Sequence, residues 1–346
     1  MKIAIVVGVR PEFIKMAPFI KLCQEKKIDH YVIHTGQHYG DEMDKQFFKD
    51  FDLDAPDYVL DTHSTSLPTQ IAKMITGMED ILSKNEPDLV LVYGDSNSAL
   101  GPALACAKMN ISIGHIEAGL RSFDRTMPEE INRVVVDHIS NFLFAPTDVC
   151  KNNLIQEGID SKHIFVTANT VVDSVFHIKD IARTQSNILD SLKLNQKDFS
   201  ILTLHRPSNV DNPIKLEEIL KSLNQLCDEF STKIVFPIHP RTKKNLETFG
   251  LSIPKNIIAT PPLGYLDFVQ LQNNSKVIFT DSGSIQEEAC IIGIPCITIR
   301  DNTERPESVE VLANTLTKSD FQSIKQAFEK QTQISTDWNN PYGDGT

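Results

Sequence analysis

Gly8, Asp95, Glu117, His205, His239 and Asp281 each stand directly behind a short apolar run. Their types suit distinct jobs. Asp95 and Glu117, with Glu129 further on, are carboxylates able to take and return a proton or to steady a developing cation. His205 and His239, followed by Arg206 and Arg241, suit acid–base work or contact with an anion. Thr280-Asp281-Ser282-Gly283-Ser284 follows the apolar Val277-Ile278-Phe279 and leads into Ile285-Gln286-Glu287-Glu288, the pattern of a strand, a small-residue turn and a helix start. Such a turn aims unpaired backbone N–H groups and the positive end of a helix dipole at one point. Arg300 and Arg305 follow the next apolar run, Ile294 to Ile299. An anion site built from amides and guanidinium groups is the natural reading.

Each residue also has a plainer reading. Glu129 and Glu130 behind Pro128 suit the first turn of a helix, and for Glu130 that is sufficient. Lys15 alone is an ordinary solvated lysine. Arg10, in Gly8-Val9-Arg10-Pro11-Glu12, is either a surface charge or a phosphate contact. That stretch has neither the GxGxxG of dinucleotide binding nor the GxxxxGK of a P-loop. The two strand-end histidines have no third ligand at metal-site spacing, so no metal and no cofactor is expected. His38, His115 and His138 read as structural. Cys23, Cys106, Cys150, Cys227, Cys290 and Cys296 form no CxxC pair, and most lie in apolar runs, where a thiol is a small hydrophobe.

The elements that must position these residues alternate. Apolar runs Lys2 to Val7, Tyr31 to His34, Leu89 to Tyr93, Ile111 to Ile116 and Phe142 to Phe144 are separated by helix-period segments. Past the crossing segment Phe165 to Asp173 the alternation restarts, with runs Ile201 to Leu204, Ile234 to Ile238 and Val277 to Phe279. Strands alternating with helices specify parallel, doubly wound sheets, and such sheets bind ligands outside the C-terminal ends of their strands. The expectation is an α/β protein of two Rossmann-like domains, residues 1–168 and 169–346, with the active site in the cleft between them.

Composition bounds the function. With 346 residues there is chain enough for two cores. A formal charge of −12 argues against general nucleic-acid binding, which needs clustered Lys and Arg. The N-terminal apolar run is too short for a signal peptide, and no run reaches the roughly 18 apolar residues of a membrane span. A cytoplasmic enzyme without nucleic-acid or membrane partners is expected.

The blocks GVRPEFIK, VYGDSNS, GHIEAGLRSFDRTMPEEINR, FVTANTVVD, LHRPSNVDN, FPIHPRT, PPLGYLDF, TDSGSIQEEA and RDNTERPE run in order along nearly the whole chain. Together they resemble the non-hydrolysing UDP-N-acetylglucosamine 2-epimerases. That resemblance implies a GT-B-like fold, a homodimer, and epimerisation at C2 of UDP-N-acetylglucosamine to UDP-N-acetylmannosamine. It implies anti elimination of UDP to 2-acetamidoglucal followed by re-addition. A UDP-2,3-diacetamido-2,3-dideoxy-glucuronate substrate, or a GT-B glycosyltransferase activity, is the alternative. By matching positions, Asp95, Glu117, Glu129 and His205 are the catalytic residues. Arg10 and Lys15 contact the nucleotide-sugar, Phe268 lies near the uracil, and Ser282, Gly283 and Ser284 hold the diphosphate. Glu288 binds the ribose, and Arg305 reaches the sugar or phosphates.

The sequence departs from the family in places. Val9 stands for Thr, Ser284 for Gly, and Ala168 for the Gly of a TGNT segment. Gln37-His38-Tyr39 and the residues after it differ from relatives activated by a second UDP-N-acetylglucosamine. The last residues, Asn340 to Thr346, stop where relatives continue into a final helix that packs on the first domain.

Overall fold

The computed structural model describes residues 1–37, 51, 53–64 and 66–345, without the side chain of Arg10. His38 and Tyr39 lie outside them. The chain divides into two compact units, residues 1–174 with 342–346, and residues 175–341. The division falls inside one helix, Val171–Gln185.

The strands of the first unit are β1 (Ile3–Val7), β2 (His30–His34), β3 (Tyr58–Val59), β4 (Leu89–Tyr93), β5 (Ser112–Ile116), β6 (Phe142–Ala145) and β7 (Ile164–Val166). They pair in parallel in the order β3-β2-β1-β4-β5-β6-β7. Central runs such as Ile3–Val7 are buried along their whole length, as a sheet covered by helices on both faces requires. The order reverses between β1 and β4, so the turns behind those strands open at a topological switch point. Gly8 and Asp95 sit there. Gly8 is needed for its lack of a side chain: a Cβ would lie 1.9 Å from Thr35 Oγ1 and 2.2 Å from Ser98 Oγ.

The second unit repeats the design with β8 (Phe199–Thr203), β9 (Lys233–Pro237), β10 (Ile257–Thr260), β11 (Ile278–Thr280), β12 (Cys296–Ile299) and β13 (Asn314–Thr317). The order is β10-β9-β8-β11-β12-β13, again all parallel. Its switch point lies between β8 and β11, the strands followed by His205 and Asp281. The helix Pro213–Phe230 shows how the layers hold together. Asn212 caps its first turn, its side chain accepting from Ile214 N and Lys215 N, and Leu216, Ile219, Leu220, Leu223 and Leu226 form the face buried on the sheet.

All six cysteines are unbridged and buried, three in each unit. Burial pushes the thiols of Cys106, Cys227, Cys290 and Cys296 up to about 12, which suits packing rather than nucleophilic work. No helix among the described residues is long and apolar enough to cross a membrane.

Ala168 has φ +59°, in the left-handed region that glycine favours. Replacing it by glycine should remove that strain and raise the stability of the first unit by about 1 kcal/mol, more than the added chain entropy removes. Urea unfolding of Ala168→Gly measures this, and an unchanged or lower midpoint would show that the Ala168 conformation carries no strain.

Candidate active site

In the first unit the acids differ in how they are held. Glu117, just past β5, has φ +70°, a conformation that costs a non-glycine residue ~1–2 kcal/mol. The loop is fastened there by the N–H groups of Glu117 and Ala118, both donating to the Phe144 carbonyl at 3.1 Å. Its carboxylate is buried. Oε1 accepts from Lys15 Nζ at 2.5 Å and from Asn169 Nδ2 at 3.1 Å. Lys15 is only 2% exposed, and its ammonium also lies 5.5 Å from the centre of the Tyr93 ring.

Asp95 follows Gly94, whose carbonyl faces His115 Nε2 at 2.8 Å. The other ring nitrogen of His115 faces Asp137 at 2.6 Å. Asp137 is fully buried. Burial opposes its charge, yet His115 and Arg121 hold its carboxyl below the ordinary aspartate range. It also takes Gly119 N, so one buried acid ties the ends of β4 and β5 to the helix Pro128–Ile139. Asp95 pairs with Arg133, whose other guanidinium nitrogen reaches Glu130 at 2.6 Å. Glu130 accepts in addition from Ser122 N, Ser122 Oγ and Phe123 N, each at 2.9 Å, so its role is to hold that loop. Glu129 is half-buried and makes no ion pair or hydrogen bond among the described residues. Thus one acid is deeply held, one is gripped on a single side, and one is uncommitted.

The Gly8 turn is closed by Glu12, whose Oε2 accepts from Gly8 N at 2.7 Å and Val9 N at 3.2 Å while Ser96 Oγ donates to Oε1 at 2.5 Å. Val9 occupies the N-cap position and caps nothing with its own side chain, so Glu12 reaches back to do so. Burial outweighs these donors and pushes Glu12 up to about 8.

In the second unit Asp281 is the organiser. It is wholly buried and accepts from His205 N, Arg206 N and Asn209 Nδ2 at 3.1–3.2 Å. His205 Nδ1 lies 3.0 Å from its Oδ1, which directs an N–H to Asp281 and leaves Nε2 as the outward nitrogen. Burial opposes the charge of Asp281, but His205 and the backbone donors hold it below the usual range. His239 stacks obliquely on His205, ring centres 5.6 Å apart.

Ser282 is the N-cap of the helix Gly283–Ile292. Ser284 lies inside that helix with negative φ, so a side chain in place of glycine costs no backbone strain there. Gly283 does need to be glycine: a Cβ would come within 2.4 Å of Glu304 Oε1. Glu304 is gripped by Arg300 at 2.7 Å and Arg206 at 3.0 Å, and those arginines hold it well below the usual carboxylate range against the cost of burial. Arg305 pairs with the buried Glu287 at 2.5 Å. Three guanidinium groups and two carboxylates thus meet beside the helix N-terminus, next to the buried Asp281. Nη1 of Arg300 and Nε of Arg206 are buried without a partner among the described residues, as donors awaiting an acceptor would be. Glu288 is buried and accepts from Gln272 Nε2 at 2.8 Å. Phe268 is half-exposed on the helix Tyr265–Asn274.

The structure therefore joins Lys15 to Glu117 and groups Ser282, Gly283 and Arg305 with Arg206, Arg300 and Glu304. Glu129 and Phe268 make no hydrogen bond or ion pair to those clusters among the described residues, and Glu288 is held by Gln272. Glu12, Asn169 and Glu304 were not legible as site residues. Only Glu12 carried a local signal, the acid three positions past an N-cap.

A family model described as UDP-N-acetylglucosamine 2-epimerase matches residues 20–346. A Methanocaldococcus jannaschii protein named UDP-N-acetylglucosamine 2-epimerase is 46% identical over 352 residues, covering 100% of this chain and 96% of the relative. A Pseudomonas aeruginosa protein named UDP-2,3-diacetamido-2,3-dideoxy-D-glucuronate 2-epimerase is 39% identical, covering 91% of this chain and 88% of its own length. The crystal structure of a Methanocaldococcus jannaschii UDP-GlcNAc 2-epimerase in complex with UDP-GlcNAc and UDP is similar to this chain with a TM-score of 0.94 at 46% identity, over 100% of this chain and 96% of the other.

Proposed function

We infer that this chain, which belongs to the UDP-N-acetylglucosamine 2-epimerase family, interconverts UDP-N-acetylglucosamine and UDP-N-acetylmannosamine by inverting C2 of the sugar. The observation that carries the chemistry is the pair of carboxylates, Asp95 and Glu117, that end the neighbouring strands β4 and β5.

The proton on C2 is not next to a carbonyl, so direct removal is too costly. Breaking the bond from C1 to the diphosphate oxygen first, or in concert, builds positive charge at C1 and makes C2–H acidic. UDP leaves with the bonding pair, a base takes the C2 proton, and the C1–C2 double bond of 2-acetamidoglucal forms. Returning the proton to the other face while UDP re-adds to C1 gives the epimer. Arg206, Arg300, Arg305 and the amides at Gly283 are preorganised for the leaving diphosphate. Asp95, Glu117, Glu129 and His205 are the groups for proton transfer and for steadying the cationic sugar. Arg10, Lys15, Phe268, Ser282, Ser284 and Glu288 belong to the same proposal as residues that bind or support the nucleotide-sugar. So do a homodimeric state and a cytoplasmic location.

Incubation with UDP-N-acetylglucosamine alone in D₂O should yield UDP-N-acetylmannosamine carrying deuterium at C2. An epimer with no deuterium would sink the elimination route. Free N-acetylmannosamine would mark a hydrolysing enzyme, and an unchanged substrate would point to a glycosyltransferase. Faster turnover of the diacetamido-glucuronate sugar would reassign the substrate.

A further inference from the structure

Asn169 follows β7 and the strained Ala168, and begins the segment that leads into the helix Val171–Gln185. It is buried, and every polar atom of its side chain is used. Oδ1 accepts from Val171 N at 3.0 Å and from Tyr93 OH at 3.2 Å, and Nδ2 donates to Glu117 Oε1 at 3.1 Å. The orientation of the amide is not arbitrary. Val171 N–H can only donate, so the oxygen must face it and the NH₂ must face the carboxylate. Lys15, Tyr93, Glu117 and Asn169 thus close a ring: lysine and asparagine both donate to Glu117 Oε1, tyrosine donates to asparagine, and the lysine ammonium lies against the tyrosine ring. The backbone N–H of Asn169 donates to the Tyr342 carbonyl at 2.9 Å, which seats this turn on the last residues of the same unit.

The two oxygens of Glu117 consequently have different surroundings. Oε1 takes both donors. Oε2 lies on the side of the Gly94 turn, where a Cβ would stand 3.4 Å from it. Lys15 from the helix Arg10–Lys26 and Tyr93 from β4 are among the charged and titratable groups around this carboxylate.

We propose that Asn169 is a positioning residue for the reaction: with Lys15 it holds Oε1 of Glu117 and so sets how that carboxylate is presented for proton transfer. This rests on the reading of Glu117 as a catalytic residue.

The test is the pH profile of kcat/KM for Asn169→Asp and Asn169→Ala, alone and combined with Glu117→Gln. An aspartate here keeps the shape and still accepts from Tyr93 and Val171, but sets a second negative charge against Glu117. Like charges favour the protonated form. The acidic limb should move up by about one pH unit, and kcat at neutral pH should fall by about 10-fold with KM little changed. Asn169→Ala should lower kcat comparably without moving the limb as far. In the Glu117→Gln background neither change should lower kcat further, because both act through the same group. Unaltered kcat and pH limb in the singles, or fully additive losses in the doubles, would overturn the proposal. UDP affinity by calorimetry and the far-ultraviolet dichroism spectrum report whether each variant is folded. If Asn169→Asp is unfolded, Asn169→Ala decides by its kcat and by the double variant. Near-normal activity of Glu117→Gln alone would instead remove the catalytic reading beneath the proposal, whatever Asn169 does.

Discussion

Glu117→Gln is expected to lower turnover by at least ~100-fold, since it removes an acid–base group without changing its shape. Glutamine can still accept from Lys15 and Asn169 through its oxygen, so the ring around Oε1 survives in outline. Two things are lost. The side chain can no longer exchange a proton, and Lys15, almost wholly buried, no longer has the counter-ion that lies 2.5 Å away. Removing the charged partner from a buried ion pair costs ~3–5 kcal/mol. The rate loss must therefore be separated from unfolding. Kcat and KM measured on protein whose thermal midpoint has been determined make that separation, and C2 deuteration gives a second reading of the same step. A folded Glu117→Gln that deuterates C2 at the wild-type rate would take Glu117 off the catalytic list.

Asp281→Ala should cost the second unit ~3–5 kcal/mol, because it orphans several buried donors at about 1–3 kcal/mol each. The N–H groups of His205 and Arg206 and the amide of Asn209 all end on this one carboxylate, which is wholly buried. His205 would also lose the acceptor that sets its ring, so proton-transfer competence should fall with stability. Asp281→Asn, which keeps volume but offers an NH₂ where an acceptor is required, should show most of the same loss. Urea denaturation gives the stability and kcat of the folded fraction gives the rate. A midpoint within experimental scatter of wild type would show that the donors find other acceptors. The pH dependence has a definite sign. A carboxyl held below its unfolded value contributes stability that is present above the unfolded range near 3.9 and is lost as pH falls through the folded value. Asp281, Glu304 and Asp137 are all held low, so their contribution should stay flat at neutral pH and disappear only in strong acid.

Much of the architecture was legible because buried parallel strands are continuous apolar runs, as in Leu-Val-Leu-Val-Tyr of β4. The strands not anticipated are β3, β7, β10 and β13, the outer strands of the two sheets. An edge strand is covered on fewer sides, so Tyr58–Val59 and Asn314-Thr315-Leu316-Thr317 are short or polar and carry little periodic signal. The positions of Asp95, Glu117, His205 and Asp281 followed from strand ends. Their partners did not, since Lys15 and Glu117 are 102 positions apart and Asn169 lies 52 beyond Glu117. Spacing along a chain records what a strand delivers, and only the folded sheet records what it delivers it to. Ser284 is the reverse case. A side chain at this glycine position costs strain only where φ is positive, and Ser284 lies in a helix that begins one residue earlier.

The evenly divided cysteines have a use that has nothing to do with catalysis. Cys23, Cys106 and Cys150 lie in one unit and Cys227, Cys290 and Cys296 in the other, all sealed from solvent and the raised ones poorly ionised. A thiol-alkylating reagent can modify them only while the surrounding structure is open, so adduct formation on each peptide becomes a clock for local unfolding. Because the single tryptophan, Trp338, is in the second unit, with its indole N–H on the Cys290 carbonyl, its fluorescence would time the same event there by an independent signal. The native sequence is already a two-channel stability reporter, with no label to be introduced.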